Sequence, residues 1–453
     1  MNRNHFLFLF LFLFFVSFGQ WINQSTGFTV PKRGITSISI VNQNIVWAVA
    51  YDGANPSNYI TEFTRTTNGG NTWTPGLLNS GIVGAGMANI SAINADTAWA
   101  CIYHPTQTNA GGIWKTIDGG LSWNKQTSAG FIATSFPDFV HFWNASNGIA
   151  VGDPTSGFFE VYTTSDGGNN WTRTANTANQ LSSISPSEYG YVNAFSVSGN
   201  TLWFCTSAGR VFKTTDFGLT FISSLVGNGF SDVHRITFSD SLQGYAAMHT
   251  ANNLNFRLAK TNDGGLTWNA CANTSTIDQT ALLGGDICAI PGTNYLISVG
   301  SDINAKGSSW SADGGTTWFI MEDTSLAPQR TCVRFLDASI GWAGSFNTNQ
   351  FSEGISKNSG PVGINSLRVS SSFRFFPNPA GNFVLLLIKN NLGHAQIRLL
   401  SADGQELQNS KINLDDTNIK IDLDLSTYHP GIYFLEFYDG IKLRTEKIEI
   451  GRA

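Results

Sequence analysis

Short apolar runs separated by polar turns fill most of this chain. Seven stretches share one form, an apolar run, a polar turn and a second apolar run. They are "ISIVNQNIVWAVA" (38–50), "ISAINADTAWACI" (90–102), "VHFWNASNGIAVG" (140–152), "AFSVSGNTLWFC" (194–205), "ITFSDSLQGYAAM" (236–248), "ICAIPGTNYLISVG" (287–300) and "VRFLDASIGWAGS" (333–345). Each reads as two short strands joined by a hairpin. After six of them comes an octet: "TTNGGNTW" (66–73), "TIDGGLSW" (116–123), "TSDGGNNW" (164–171), "TTDFGLTF" (214–221), "TNDGGLTW" (261–268) and "SADGGTTW" (311–318). The third octet position is Asn68, Asp118, Asp166, Asp216, Asp263 and Asp313, at steps of 50, 48, 50, 47 and 50 residues. A fixed period of this length marks a repeat architecture.

The octet has a physical reading. An Asp or Asn side chain can accept hydrogen bonds from backbone two residues on and close a tight turn. Glycine supplies the positive φ that such a turn needs. The terminal aromatic opens the next strand and buries a large area. The six acidic or amide residues are therefore structural. Each unit then holds four strands, and four-stranded units repeated about a ring build an all-β propeller. The seventh double strand is followed only by "SKNSG" (356–360), which keeps Ser, Asn and Gly at octet positions one, three and five. The missing aromatic is found near the N-terminus, where "WINQSTGF" (21–28) resembles "WNKQTSAGF" (123–131). Trp21 would complete the seventh blade and close the ring.

Composition agrees. Charged residues make up 13 % of 453 positions and glycines number 47, a turn-rich β composition. A net charge of −5 argues against nucleic acid as a partner. Arg3 leads into eleven apolar residues, Phe6 to Val16, then small residues up to Gly19. This reads as a signal peptide, residues 1–19, too short to span a bilayer as a helix; no transmembrane segment is expected. Cys101 and Cys205 sit in apolar strands as buried thiols, and a Cys271–Cys288 pairing stays open. No Cys/His cluster has metal spacing, and no cofactor is implied.

The chain changes character near Phe373. Residues 20–362 hold 36 charged residues in 343, and residues 373–453 hold 19 in 81. Residues 363–372 read as a linker. Beyond it, alternating strands predict a small Ig-like antiparallel β-sandwich.

Two resemblances follow from these motifs. The octets resemble the Asp-box, or BNR, repeat over about residues 21–362, and "GIAVGDP…TTSDGGNNW" is most similar to the photosystem II assembly-factor propellers. Sialidases, xyloglucanases and sortilin-type receptors also carry such repeats, so the resemblance implies a seven-bladed propeller without an activity. The landmarks "FPNPA" (376–380), "SADGQEL" (401–407) and "LSTYHPGIYFLEF" (425–437) resemble the type A C-terminal sorting domain of the type IX secretion system. That resemblance implies a Bacteroidetes-type origin and recognition of residues 373–453 by the secretion machinery. It also implies a propeller released or held at the cell surface.

Ligands of propellers usually meet the loops that lead into the innermost strands. Those loops bring forward Arg33, Asp138, His141, Glu188, Asp232, His234, Arg235, Asp286, Arg330 and Arg334 as candidate ligand-binding residues. Guanidinium, imidazole and carboxylate groups on one rim suit a polar ligand or a charged segment of a protein or glycan; solvated or mutually paired loop charges are the alternative. A glycosidase would need two carboxylates about 5–10 Å apart, and Asp138, Glu188, Asp232 and Asp286 are the ones to consider. The chain has no Arg-Ile-Pro, which departs from the sialidase pattern, and room for one propeller where xyloglucanases use two. These observations favour a binding scaffold over a glycan-active enzyme, and no catalytic residue is assigned.

Overall fold

In a computed structural model of the protein, residues 21–451 are described, apart from 108–109, 132–134, 176–180, 228, 251–254, 272–281, 323–325, 348–352, 359–371, 390–392, 415–417 and 439–442. The signal peptide and residues 363–371 of the linker read from the sequence lie outside the described residues, and Ser372, the last linker position, opens a strand. Two compact units divide between Pro361 and Val362.

The first unit contains seven four-stranded antiparallel sheets. Blade 1 runs Arg33–Ile40, Val46–Asp52, Glu62–Thr66 and Thr74–Leu77 from inside to outside. Blades 2 to 6 repeat that order, with inner strands Gly86–Ala92, Pro137–Phe142, Gly190–Ser198, Arg235–Phe238 and Asp286–Ala289. Blade 7 takes Arg330–Phe335, Gly341–Ser345 and Gly354–Asn358, and its outer strand is Trp21–Ser25. Each inner strand packs on the next, and the seventh packs on the first. The molecule is the seven-bladed, all-β propeller implied by the repeats, closed by its N-terminal strand.

The closing register corrects one detail. Ile22 pairs Lys357 as Thr74 pairs Arg65 in blade 1. Trp21 thus occupies the place of Trp73, but the residue in the first octet position is Asn358, two places later than the "SKNSG" alignment put it. Trp21 Nε1 donates to Ser308 of blade 6 at 2.9 Å, as Trp268 Nε1 of blade 5 donates to Ser224 of blade 4 at 3.1 Å.

The octets are turns whose acids serve the backbone. Thr116 Oγ1 donates to Asp118 Oδ1 at 2.8 Å and accepts from Gly120 N at 2.9 Å. Asp118 also accepts from Ser122 N at 3.0 Å and from Ser122 Oγ at 2.5 Å. The donor therefore lies four residues on, where the sequence reading placed it two residues on, because the two glycines lengthen the turn. These donors hold the Asp118 carboxyl down to about 2. Asp166, Asp216, Asp263 and Asp313 accept in the same way from Asn170, Thr220, Thr267 and Thr317, and Asn68 from Thr72.

Cations on the third strands clip neighbouring blades together. Lys115 Nζ lies 5.1 Å from the Trp99 ring centre and donates to Gly167 O of the next blade at 2.8 Å. Arg65 does this over Trp47 to Gly119 O, and Lys357 over Trp342 to Gly69 O across the ring closure. Lys213 and Lys260 sit over Trp203 and Tyr245 with Nζ at 2.6 and 2.9 Å from where a Cβ on Gly264 and Gly314 would fall. A side chain on those left-handed glycines would collide with the clip. Blade 3 has Thr163 where the cation would be, and the octet it faces carries Phe217, a non-glycine at φ 61°.

The inner strands are joined by a ring of short side chains. Ser39 Oγ accepts from Ala92 N, Ser91 Oγ from Phe142 N, Ser196 Oγ from Phe238 N and Thr237 Oγ1 from Ala289 N, all between 2.8 and 3.1 Å. Cys288 Sγ plays the same part toward the backbone of Phe335. All five cysteines are free thiols, so Cys271 and Cys288 are not paired, and Cys101 and Cys205 are buried.

The second unit holds a three-stranded sheet from Ser372–Phe376, Phe383–Lys389 and Asn418–Asp424. Its four-stranded sheet is built from Gly393–Ser401, Glu406–Leu414, Gly431–Tyr438 and Leu443–Ile450. Val384, Leu386, Ile397, Leu399, Leu435, Phe437 and Ile448 form the core of this sandwich.

Candidate functional site

The inner strands begin, and the second strands end, on one face of the ring, because each pair is antiparallel. On that face a polar network runs through blades 3 to 7. At one end Asp138, from the inner strand of blade 3, is 1 % exposed, and neither carboxyl oxygen has a partner among the described residues. Burial and the nearby Asp153 push its carboxyl well above the usual range. Burial brings the Asp153 carboxyl up to about 6, against the lowering effect of Gly190 N, which donates to Asp153 Oδ1 at 2.8 Å. Gly190 is required there: a Cβ would fall 2.3 Å from Asp138 Oδ2.

The next residue continues the network. Tyr191 Oη donates to Asp232 Oδ1 at 2.6 Å, and its ring stands 4.8 Å from His234. His234 Nε2 lies 3.5 Å from Asp232 Oδ2, and the His234 and His249 ring centres are 4.3 Å apart. Burial lowers both imidazoles, so each is neutral near pH 7. Tyr189, 45 % exposed, packs edge-on against Tyr191. Asp286 then gathers two arginines: Arg235 Nε at 3.3 Å and Arg334 Nη1, with Val333 N donating to its Oδ2.

Of the ten residues singled out in the sequence, Asp138, Asp232, His234, Arg235, Asp286 and Arg334 meet in this network. His141 faces the central channel against Trp143 and Phe195. Arg33, Glu188 and Arg330 do not converge with them. Arg33 is buried against Asp52 and Glu62 of its own blade. Glu188 is buried and accepts from Arg210 and Thr206. Arg330 stacks on Trp21 and pairs with Glu322. The inner strands of blades 1, 2, 3 and 7 share one register shift near this end, at Ile35/Ser37, Met87/Asn89, Pro137/Phe139 and Arg330/Cys332. Asp153, Tyr189, Tyr191 and His249 belong to the site and were not singled out. Tyr189 and Tyr191 stand in "SPSEYGYVN", while Asp153 and His249 come from second-strand ends, the other half of each hairpin.

Among the described residues no group of three or more His, Cys, Asp or Glu is arranged to hold a metal ion, and no helix is long and apolar enough to cross a membrane.

Comparisons with known proteins bear on both units. No curated protein matches the chain. Among solved structures, YCF48 bound to D1 peptide is 15 % identical, with 76 % of this chain and 97 % of that one covered at a TM-score of 0.51. YCF48 from Cyanidioschyzon merolae is 13 % identical over 74 % and 98 % at 0.52. These two share the propeller fold. A GH74 xyloglucanase from Xanthomonas campestris is 13 % identical over 91 % and 69 %, at a TM-score of 0.32 that supports no argument. Residues 374–451 match the family of secretion system C-terminal sorting domains. The chain is a β-propeller followed by a type IX sorting domain, an arrangement that implies export to the cell surface or the medium.

Proposed function

We propose that the exported propeller is a recognition module that binds a protein segment through the face bearing Tyr189, Tyr191, Asp232, His234 and Arg235. One observation carries this reading: the carboxylates of that network other than Asp153 are already committed or shut away. Asp286 is held by two arginines and Asp232 by Tyr191, while Asp138 is shut away from solvent. A glycosidase needs two carboxylates free to flank a sugar. The exposed Tyr189 beside Tyr191 supplies instead the aromatic anchor typical of protein interfaces. The structure of YCF48 bound to D1 peptide gives a precedent for peptide binding by this fold. A glycan-active enzyme is the second reading, favoured by Asp153, whose carboxyl near 6 suits a general acid.

Peptide arrays probed with the full chain, and reducing-sugar release from a polysaccharide panel, separate the two. Peptide binding lost in the Tyr189→Ala, Tyr191→Ala double variant supports recognition. Sugar release that disappears in Asp153→Asn overturns it.

A further inference from the structure

The ring of inner-strand side chains that accept from the following blade has seven places, and five are filled by Ser39, Ser91, Ser196, Thr237 and Cys288. The other two hold His141 and Arg334. Their neighbours Phe142 and Phe335 pair with Gly148 and Gly341 as Ala92 pairs with Ala98, which fixes the equivalence. Blades 3 and 7 are separated by two blades one way round and three the other. The two larger side chains therefore face each other across the channel.

Both are equipped for a ligand. His141 Nε2 is buried and has no partner among the described residues; desolvation pushes its imidazole down to about 3, so the ring is neutral. Trp143, two residues on, meets His141 edge-on at 4.9 Å, and its Nε1 is likewise buried without a partner. Phe195 lies 5.8 Å from His141. Phe217 closes on Trp143 at 5.1 Å. It is the one octet residue in that position that is not glycine, and it stays in the left-handed region to make the contact. Across the channel, the hydrogen bonds of Arg334 run through Nη1 to Asp286 and Val333 O. Asp286 faces two arginines, so neither guanidinium has that carboxylate to itself. The channel space is about 620 Å³, and Arg334 is the sole charged side chain in its described lining. That volume is in the range of small-molecule sites.

We propose that the channel binds a small ring-bearing carboxylate, with the carboxylate on Arg334 and the ring against Trp143 and Phe195. A carboxylate matches the planar guanidinium fork of Arg334. The unpartnered N–H of Trp143 and the neutral His141 serve the ring's own polar groups. A sugar acid and an aromatic acid share this chemistry. The site lies in the channel and adjoins the face proposed for protein recognition, since Arg334 shares Asp286 with Arg235.

The test is saturation-transfer NMR and calorimetry on the full chain with glucuronate and phenylacetate, each beside its uncharged counterpart, glucose and phenylethanol. At least one acid binds saturably, at least tenfold more tightly than its counterpart. Which acid binds identifies the source. Arg334→Lys, which keeps the charge beside Asp286 but loses the fork, weakens binding about tenfold. Phe217→Gly restores the residue used by every other octet, so the fold is kept, and weakens binding severalfold. Binding of neither acid, equal binding of acid and neutral probe, or binding unchanged in both variants overturns the proposal.

Discussion

Asp153→Asn should stabilise the propeller at neutral pH and do nothing in acid. In the folded chain the Asp153 carboxyl titrates at about 6, raised by burial, whereas an unfolded aspartate titrates near 3.8. Between those values the folded state holds a proton that the unfolded state has lost. Stability from this group is therefore full below pH 3.8 and is lost as pH rises through 6. A shift of about two units corresponds to roughly 3 kcal/mol above pH 7. Asparagine is neutral at every pH, and its carbonyl oxygen can still accept from Gly190 N, so the substitution removes the cost without orphaning the backbone. At about 2 cal/mol/K of unfolding entropy per residue, the gain amounts to roughly 4 °C in Tm for a unit this large. Scanning fluorimetry of both chains from pH 4 to 8 reads it directly. The expected result is coincident melting at pH 4 and a gap that opens through pH 6. A gap independent of pH, or a variant that melts lower at pH 8, would refute the reasoning.

Three other changes probe the architecture. Trp21→Ala removes a buried ring packed on Arg330 and Phe335, and should cost about 3–5 kcal/mol by denaturant unfolding, as a core Trp does. Lys115→Met should lose about 1–3 kcal/mol, the charge-assisted bond to Gly167 O plus the Trp99 contact. The exposed Lys125→Met, over Trp114, should lose under about 1 kcal/mol in the same melts. Thr116→Val leaves the buried Gly120 N without its acceptor and should cost about 1–3 kcal/mol, with faster amide exchange at Gly120 as the specific sign.

The repeat was legible because its chemistry is local: two left-handed glycines, an acid and an aromatic recur wherever the chain must turn. The blade-7 closure was legible for the same reason, through Trp21. Its exact register was not, because "SKNSG" was matched by residue type, whereas Lys357 is fixed by a clip to Gly69 of blade 1 that no local pattern announces. The site was half legible. Loop position brought forward Asp138, Asp232 and Asp286, but it could not tell which charges point to the face. Ion pairs with Glu62 and Glu322 hold Arg33 and Arg330 away from it. Asp153 and His249 reach the site from the far end of a hairpin, so only the pairing of strands brings them in.

The strand partner of Trp21 is Asn358, more than three hundred residues away. Nothing closer in the chain can stand in for it, so blade 7 has no outer strand until both ends are present. Pairing at such separation is slow, since the entropy of bringing the ends together must be met before the contact returns anything. Ring closure is therefore a late event in folding. A chain still emerging from a ribosome or a translocation pore carries its first strand as an exposed edge until residue 358 arrives. The molecule is thus held open, and vulnerable to proteases and to edge pairing, for as long as its own delivery takes.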